Sequence, residues 1–326
     1  MKGGRKVSFK TKLWSLLLIV IYSGCNKGYV HHSEYYTDTS RQSATFDSRI
    51  QYLIMHYTAV DEEESFRLLT TESWPASAHY LVTENPKQKH HQPVVYQLVP
   101  ESERAWHAGV SRWGENSRLN SASIGIEIVN LGYIDIEPTF DQHDSLIEDG
   151  YHVWKAEERY WFYYPSEQVE AVKLLAKDIV DRYNIEPQHV LGHTDIAPLR
   201  KSDPGPLFPW RELYDAGIGA WYDDDTFLKY LDYRELDSLV STDHLLHLLR
   251  LYGYPTPTPL DQRIASSQTT LEERSQYERE AQLVIRAFQM HFRPTNFSGV
   301  ADAETEAIIL SLLEKYYGAE TLEGIL

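Results

Sequence analysis

The chain has 326 residues, of which 42% are apolar and 24% charged, a composition typical of a globular protein and not of a disordered one. Its formal net charge of −17 argues against nucleic acid as a general partner, because two polyanions repel each other. Cys25 is the only cysteine, so an intramolecular disulfide is excluded. At roughly 100–200 residues per domain, the length suggests two domains.

The N-terminal segment has the layout of a secretory signal. Five basic and no acidic residues precede an apolar run, LWSLLLIVIY at 13–22, that is shorter than the roughly 20 residues a membrane-spanning helix needs. Ser23, Gly24 and Cys25 follow, and this arrangement resembles the lipobox of bacterial lipoproteins, in which the cysteine carries the lipid. Tyr22 departs from the leucine usual three positions before the cysteine. The alternative is an uncleaved anchor with an incidental cysteine.

The lipobox resemblance implies that residues 1–24 are a signal peptide and that Cys25 is the lipidated first residue of the mature protein. It also implies the cell envelope of a Gram-negative bacterium, and Asn26 in place of an aspartate favours the outer membrane, facing the periplasm. Acyl chains on one cysteine hold a protein at a membrane without a spanning helix. Residues 25–45, polar and without apolar periodicity, are interpreted as a tether.

Residues 46–222 alternate short apolar runs with amphipathic segments, which predicts a mixed α/β domain with a central sheet flanked by helices. The predicted elements are strands at 52–55, 79–82, 94–99, 123–129 and 189–193, a hairpin loop at 84–93, and helices at 61–69 and 166–183. In the strand at 123–129, Ile124, Ile126 and Ile128 share one face and Glu127 lies on the other.

Residues 223–326 have a different texture, with helical periodicity and no convincing strand. Helices are predicted within 223–252, at 275–292 and at 302–317, with Asp302 as a candidate N-cap. A proline-rich connection at 253–262 separates the first from the second. This pattern predicts a small all-α domain of three helices.

Two histidines, His56 and His193, each end a predicted strand, and Asp203 follows ten residues after the second. Two histidines and one carboxylate, with the fourth position open, form a ligand set typical of hydrolytic zinc sites. On spacing alone this signal is weak, because the chain holds 14 histidines.

The motifs around these residues are far more specific. They are MHYTA at 55–59, SAHYLV at 77–82, WHAG at 106–109, SIGIEIVN at 123–130, GHTDIAP at 192–198 and KSDPGPLFPW at 201–210. Together and in this order they resemble the zinc-dependent N-acetylmuramoyl-L-alanine amidases of the amidase-2 (AmpD-like) family. That fold is shared by peptidoglycan recognition proteins and a phage amidase, and the C-terminal helices are similar to peptidoglycan-binding-like modules.

The resemblance implies one Zn²⁺ ion held by His56, His193 and Asp203, with peptidoglycan or muropeptides as the substrate. Glu127 matches the catalytic carboxylate of the family and Lys201 the residue that stabilises the oxyanion. The residues predicted to line the cleft for sugar and peptide are His79, Trp106, His107 and Asn130. For His79 and Trp106, core packing is the alternative.

The remaining candidates favour structural interpretations. The residues expected to be solvated and not metal-binding are His31, His32, His90 and His91. The aromatic cluster at 151–164 is expected to pack in the core and on strands more than to shape the cleft. Besides the amidase, two functions stay open: a peptidoglycan-binding module without turnover and a zinc peptidase acting within the stem peptide. A glycosidase is disfavoured, because it needs two apposed carboxylates. No obligate protein partner is evident.

Overall fold

The computed structural model describes residues 28–136, 143–148, 150–259 and 270–325. The chain divides into two compact units, Met1–Asp47 and Ser48–Leu326. The predicted signal peptide and Cys25 lie outside the described residues. The described part of the first unit contains an exposed antiparallel hairpin of β1 (Tyr29–His31) and β2 (Tyr36–Asp38). Its function as a tether stays a prediction.

The second unit contains the remaining strands and all the helices that the structure describes. The strands are β3 (Tyr52–Tyr57), β4 (Tyr80–Val82), β5 (Gln88–Lys89), β6 (Gln92–Pro93), β7 (Tyr96–Gln97), β8 (Ser123–Ile128), β9 (Tyr133–Asp135), β10 (Val153–Ala156), β11 (Arg159–Phe162) and β12 (Val190–Gly192). The helices are α1 (Glu62–Thr70), α2 (Leu119–Ala122), α3 (His143–Glu148), α4 (Ser166–Tyr183), α5 (His193–Ile196), α6 (Trp210–Asp215), α7 (Asp224–Leu231), α8 (Thr242–Tyr252), α9 (Leu271–Phe292) and α10 (Ala303–Tyr317).

A five-stranded sheet in the order β12-β3-β8-β4-β7 forms the centre of this unit. Its first four strands are parallel and β7 is antiparallel, as a mixed sheet requires. The side chains of Ile124, Ile126 and Ile128 on β8 are fully buried, so the predicted apolar face of that strand is confirmed. A smaller antiparallel sheet, β10-β11-β9, contains most of the aromatic cluster at 151–164.

Helix α4 covers the central sheet and has the bounds that its periodicity predicts. Its buried face includes Ala171, Val172, Leu175, Ala176 and Ile179, which recur at spacings of three and four residues. The helix ends where Asn184 adopts a left-handed conformation with φ of 52°.

Two details of the predicted α/β segment are different in the structure. The strand predicted at 94–99 is reduced to Tyr96–Gln97, because the backbone N–H groups of Leu98 and Val99 both donate to His79 O and leave the regular ladder. His193 does not end a strand but begins the short helix α5, directly after β12. The predicted hairpin loop is confirmed: β5 and β6 pair around His90 and His91, which are both exposed.

Within the described part of 223–325 there are four helices, one more than the three predicted. The additional helix is α7, which Asp224 and Asp225 stabilise at its N-terminus and Asp232 ends in a left-handed conformation. The core of these helices is continuous with that of the α/β segment, since Tyr254 contacts Trp113 edge-on at 4.9 Å between ring centroids. Both segments belong to one compact unit, and the domain boundary near residue 222 stays a prediction.

Among the described residues, no helix has the length and apolar character needed to cross a membrane.

Candidate active site

Three side chains predicted to bind a metal meet at the carboxyl end of the parallel strands. His56 is on β3, His193 begins α5 just after β12, and Asp203 follows on the loop beyond α5. The Nδ1 atoms of the two histidines and Oδ2 of Asp203 form a triangle with three sides of 3.0 Å. All three residues are buried. Edges where parallel strands end are common places for ligand sites in α/β folds.

The donor set of this triangle fits a zinc ion. Two imidazole nitrogens and one carboxylate oxygen are typical ligands, at about 2.0–2.2 Å from the metal. Tetrahedral angles at such distances place ligand atoms about 3.3 Å apart, close to the 3.0 Å separations here. Three buried acceptors facing one point also require a cation or a shared proton between them. A Zn²⁺ ion satisfies that requirement.

The ionisation of the triangle is suited to metal binding. Burial, together with the nearby His193, lowers the pKa of His56 to about 4, so its imidazole is neutral at pH 7. Burial alone would raise the pKa of Asp203, but the two histidines hold it well below its usual range. His56 is therefore a neutral imidazole and Asp203 an ionised carboxylate, the forms that metals bind.

A chain of hydrogen bonds selects the tautomer of His56. The Ser123 hydroxyl donates to Leu119 O (2.6 Å), so its oxygen accepts from His107 Nε2–H (3.1 Å). His107 Nδ1 is then the acceptor for His56 Nε2–H (3.0 Å). This leaves the lone pair on His56 Nδ1, which faces Asp203 and His193. A partner on the other ring nitrogen commonly orients a ligand histidine.

The role of Ser123 is absent from the sequence-based prediction, and its neighbour His107 was expected to line the cleft. The structure places His107 in the interior, 6% exposed, with both ring nitrogens engaged by Ser123 and His56. Gly125 makes room for it: a Cβ atom there would lie 2.4 Å from His107 Cγ. The SIGIEI segment therefore contains a local signal, a glycine at a point of close approach, that sequence periodicity alone does not interpret.

Glu127 lies beside the triangle, on β8 directly opposite His56 of β3. The residue is half-buried, and its Oε2 is shielded from solvent without a hydrogen-bond partner among the described residues. Burial raises the pKa of Glu127 well above its usual range and the charge of Asp203 raises it further, while Lys201 acts in the opposite direction. A raised pKa makes the Glu127 carboxylate a stronger base than a solvated one, which suits a role in proton transfer.

The loop that carries Asp203 is anchored at several points. Thr194 N–H donates to Asp203 O (2.8 Å), and the hydroxyl of Thr194 donates to Lys201 O (3.1 Å). The Tyr164 hydroxyl donates to Pro204 O (2.7 Å). The side chain of Lys201 is exposed at this loop, and its charge influences the pKa of both Glu127 and His56. The loop therefore places a cation beside the predicted metal site.

The other residues predicted to contact substrate occupy different environments. His79 is fully buried, accepts from Gly125 N–H at Nδ1 (3.0 Å) and lies 3.3 Å from Glu103 O at Nε2. Asn130 is 8% exposed and bonds to Gly132 N and Tyr163 O. Trp106 is 51% exposed, with Arg104 stacked on its ring. The structure does not bring His79 to the surface, and contact of these residues with substrate stays a prediction.

Comparison with known proteins identifies the family to which the chain belongs. Residues 46–206 match the family described as N-acetylmuramoyl-L-alanine amidase, Amidase_2. The N-acetylmuramoyl-L-alanine amidase AmiD of Escherichia coli is 42% identical over 308 residues, which cover 93% of this chain and 97% of that protein. The chain belongs to the amidase-2 family. The family predicted from the six motifs is thus confirmed.

Solved structures of relatives extend this likeness to the whole fold. The complex of E. coli AmiD with anhydro-N-acetylmuramic acid-L-Ala-D-gamma-Glu-L-Lys has a TM-score of 0.73 and 43% identity, and the match covers 90% of this chain and 99% of that chain. AmpDh3 of Pseudomonas aeruginosa in complex with anhydromuramic pentapeptide has a TM-score of 0.66 and 40% identity, with coverage of 88% and 98%. The predicted architecture, a mixed sheet with flanking helices followed by a helical segment, is confirmed, and the chain is an N-acetylmuramoyl-L-alanine amidase.

Proposed function

We propose that this amidase uses one Zn²⁺ ion, held by His56, His193 and Asp203, to hydrolyse the amide bond between the lactyl group of N-acetylmuramic acid and L-alanine. The observation that carries the proposal is the buried triangle of two Nδ1 atoms and one carboxylate oxygen with 3.0 Å sides. A zinc ion bound there supplies a Lewis acid that acidifies water and polarises a carbonyl group. The chain itself supplies the proton transfer and part of the charge stabilisation.

Glu127 is assigned the proton transfer. Its raised pKa allows the carboxylate to accept a proton from the attacking water and to return it to the leaving amine. No described residue bonds to Oε2 of Glu127, so this atom is available to that water or amine. Because Glu127 and His56 are register partners, the proton acceptor lies on the same side of the sheet as the metal ligands.

Lys201 is assigned the stabilisation of the oxyanion that forms when water adds to the carbonyl. The residue is exposed on the loop that also carries Asp203, and its charge acts on both Glu127 and His56. A positioned cation or hydrogen-bond donor at a developing oxyanion is worth about 10²–10³ in rate in other hydrolases.

The substrate is assigned as a muropeptide. The complexes of E. coli AmiD and of AmpDh3 contain anhydromuramyl peptides, and this chain matches nearly the full length of both proteins. We carry this substrate class over to the chain, with a muramyl group on the acyl side and a stem peptide beginning with L-alanine on the amine side.

Product analysis tests the assignment. Soluble protein lacking residues 1–25 is incubated with anhydromuramyl and intact muramyl peptides, with and without a chelator, and the products are identified by mass spectrometry. Release of the free stem peptide that stops with chelator and returns with added Zn²⁺ is expected. Cleavage between alanine and glutamate instead indicates a peptidase within the stem, and intact substrate that stays bound indicates a binding module.

We further propose that Cys25 carries lipid and anchors the enzyme to the outer membrane of a Gram-negative envelope, facing the periplasm. The support is the basic, apolar and small-residue order of 1–24 and the asparagine that follows the cysteine. After cell fractionation, the Cys25→Ser variant is expected in the soluble fraction. Wild type is expected to stay in the membrane fraction when the membranes are washed with high salt. Recovery of the variant in the membrane fraction would argue for an uncleaved anchor.

A further inference from the structure

A second buried polar network lies behind the metal triangle and joins α9 to α5. It consists of Asp195 on α5, Tyr254 just after α8 and His291 near the end of α9. None of the three is more than 2% exposed. Residues 254 and 291 are separated from Asp195 by 59 and 96 positions in the sequence.

Asp195 is bonded to the chain segment that carries the ligand His193. Its Oδ2 accepts from the backbone N–H of Gly192 (2.7 Å) and so caps the short helix that begins at His193. Thr194, which follows His193, donates its backbone N–H to Asp203 O (2.8 Å). The single turn from Gly192 to Ile196 therefore carries one metal ligand and holds a second.

The remaining bonds of Asp195 come from the helical segment after residue 222. His291 Nδ1 donates to Oδ2 (2.8 Å), and the Tyr254 hydroxyl donates to Oδ1 (2.7 Å). A buried carboxylate is costly unless donors compensate for its lost hydration. Of the three donors to Asp195 among the described residues, two are thus supplied from outside the α/β segment, and removing either leaves a buried acceptor with fewer partners.

Close packing also links His291 to the turn from Gly192 to Ile196. Its ring stacks on Trp210, with centroids 3.8 Å apart and an angle of 13° between the planes. A Cβ atom on Gly192 would lie 2.7 Å from Pro204 Cδ and 3.3 Å from Trp210 Cζ2. Pro204 and Trp210 therefore pack directly against the backbone of Gly192. Trp210 therefore packs between the ring of His291 and the backbone of Gly192. A shift of His291 is expected to move Gly192, the residue next to His193.

We propose that His291 is a positioning residue for the metal centre, which acts through Asp195 on the ligand His193. The helical segment thereby takes part in setting the geometry of the zinc site as well as enlarging the core. This inference rests on the proposed zinc-dependent function. It assigns to residues 223–325 a role in metal binding that does not require them to contact glycan.

Replacement of His291 by leucine tests the proposal, because leucine fills similar space and offers no donor. The His291→Asn variant is the conservative partner, since its Nδ2 atom lies where His Nδ1 donates to Asp195. Zn²⁺ affinity is measured by competition with a chromophoric chelator, and the absorption spectrum of the Co²⁺-substituted protein reports the ligand geometry. The His291→Leu variant is expected to bind Zn²⁺ about 10–100-fold more weakly and to have a changed Co²⁺ spectrum. The His291→Asn variant is expected to have a Zn²⁺ affinity and a Co²⁺ spectrum close to those of wild type.

Gln289→Leu is the matched control on the same helix. Gln289 is fully buried and makes three comparable hydrogen bonds, to Gly299 N, Val300 O and Thr305 Oγ1, all within the helical segment. Its replacement is expected to lower the melting temperature without changing Zn²⁺ affinity or the Co²⁺ spectrum. Equal weakening of metal binding in the Gln289 and His291 variants would overturn the proposal, because it would reduce the effect to general destabilisation.

Tyr254→Phe provides a milder variant if His291→Leu does not fold. It removes only the hydroxyl that donates to Asp195 Oδ1 and keeps the ring packed in the core. A folded Tyr254→Phe protein with several-fold weaker Zn²⁺ binding supports the proposal, and wild-type binding overturns it. If wild type itself binds no Zn²⁺, the proposed function fails. If wild type binds Zn²⁺ and the folded His291 variant binds it equally well, only the positioning role fails.

Discussion

His56 and Glu127 are direct register partners on neighbouring parallel strands. Partner residues in adjacent strands point to the same face of a sheet, with backbones about 4.8 Å apart. The sheet therefore sets the separation between a predicted metal ligand and the predicted proton acceptor. No loop has to order for the two to meet. The buried side chains of Ile126 and Ile128 hold this strand in the core on either side of Glu127.

Glu127→Gln is expected to lower kcat by about 10²–10⁴, because the amide keeps the shape of the side chain but cannot carry the proton. Zn²⁺ affinity is expected to stay near that of wild type, since Glu127 is not in the ligand triangle. Initial rates on a defined muropeptide and a metal titration measure the two quantities. Glu158→Gln, at an exposed position, is the control. Wild-type turnover in the Glu127 variant would exclude Glu127 as the proton acceptor.

Lys201→Met is expected to reduce kcat by about 10²–10³ with a smaller change in KM, because an oxyanion exists in the transition state and not in the bound substrate. The side chain is exposed, so the melting temperature is expected to change little. Steady-state kinetics separate the two parameters. Lys89→Met, at an exposed position of β5, is the matched control. An increase confined to KM would assign Lys201 to substrate binding instead.

Removal of zinc with a chelator is expected to lower the melting temperature, because a ligand bound only by the native state stabilises it. The gain is about 4.1 kcal/mol when free metal is roughly 1,000 times its Kd. Differential scanning calorimetry with and without chelator measures the shift. The Asp203→Asn variant lacks one ligand and is expected to show a much smaller chelator effect. Identical melting of wild type in both conditions would contradict a bound native-state metal.

Gly125→Ala is expected to destabilise the fold by about 1–3 kcal/mol, because the new Cβ lies 2.4 Å from the His107 ring and overpacks the site. The strain also displaces His107 from His56, so weaker Zn²⁺ binding is expected as well. Urea denaturation of Gly125→Ala, His107→Ala and the double variant forms a cycle. The ring and the Cβ cannot clash once the ring is gone, so the double variant is expected to be more stable than additivity predicts. Strict additivity would indicate that the two residues do not contact each other.

Glu101 gives the protein an acid-dependent stability away from the active site. Arg182 forms a paired hydrogen bond with its carboxylate and, against some burial, holds the pKa of Glu101 at about 2, with help from Tyr80 and Tyr183. A depressed folded-state pKa contributes stability above about pH 4.5, and the contribution is lost as pH falls towards 2. The difference in melting temperature between wild type and Glu101→Gln is therefore expected to shrink over that range.

The control for this pH series is Glu103→Gln, at an exposed position two residues away. Its melting temperature is expected to follow wild type in parallel from pH 7 to pH 2. A Glu101 difference that stays constant across the series would show that the Arg182 pair does not contribute through ionisation.

Much of this fold could be predicted because its signals are local. The apolar spacing in 166–183 predicted helix α4 with its observed bounds, and alternation in 123–129 placed three isoleucines opposite Glu127. The ligand triangle followed from motif resemblance, although its members are separated by up to 147 positions. Helix α7 was missed, because it lies in the polar first part of 223–252 and none of its eight residues is buried.

The sequence by itself determined the family, the strands of the central sheet, helix α4 and the residue types that meet at the metal triangle, because these depend on motifs, periodicity and capping within short windows. Only the tertiary structure decided that His107 and Ser123 select the tautomer of His56, and that Asp195 bonds to His291 across 96 residues. Such bonds form between side chains that tertiary packing buries together. A buried donor or acceptor bonds to the partner that folding brings next to it, however far apart the two residues are in the sequence.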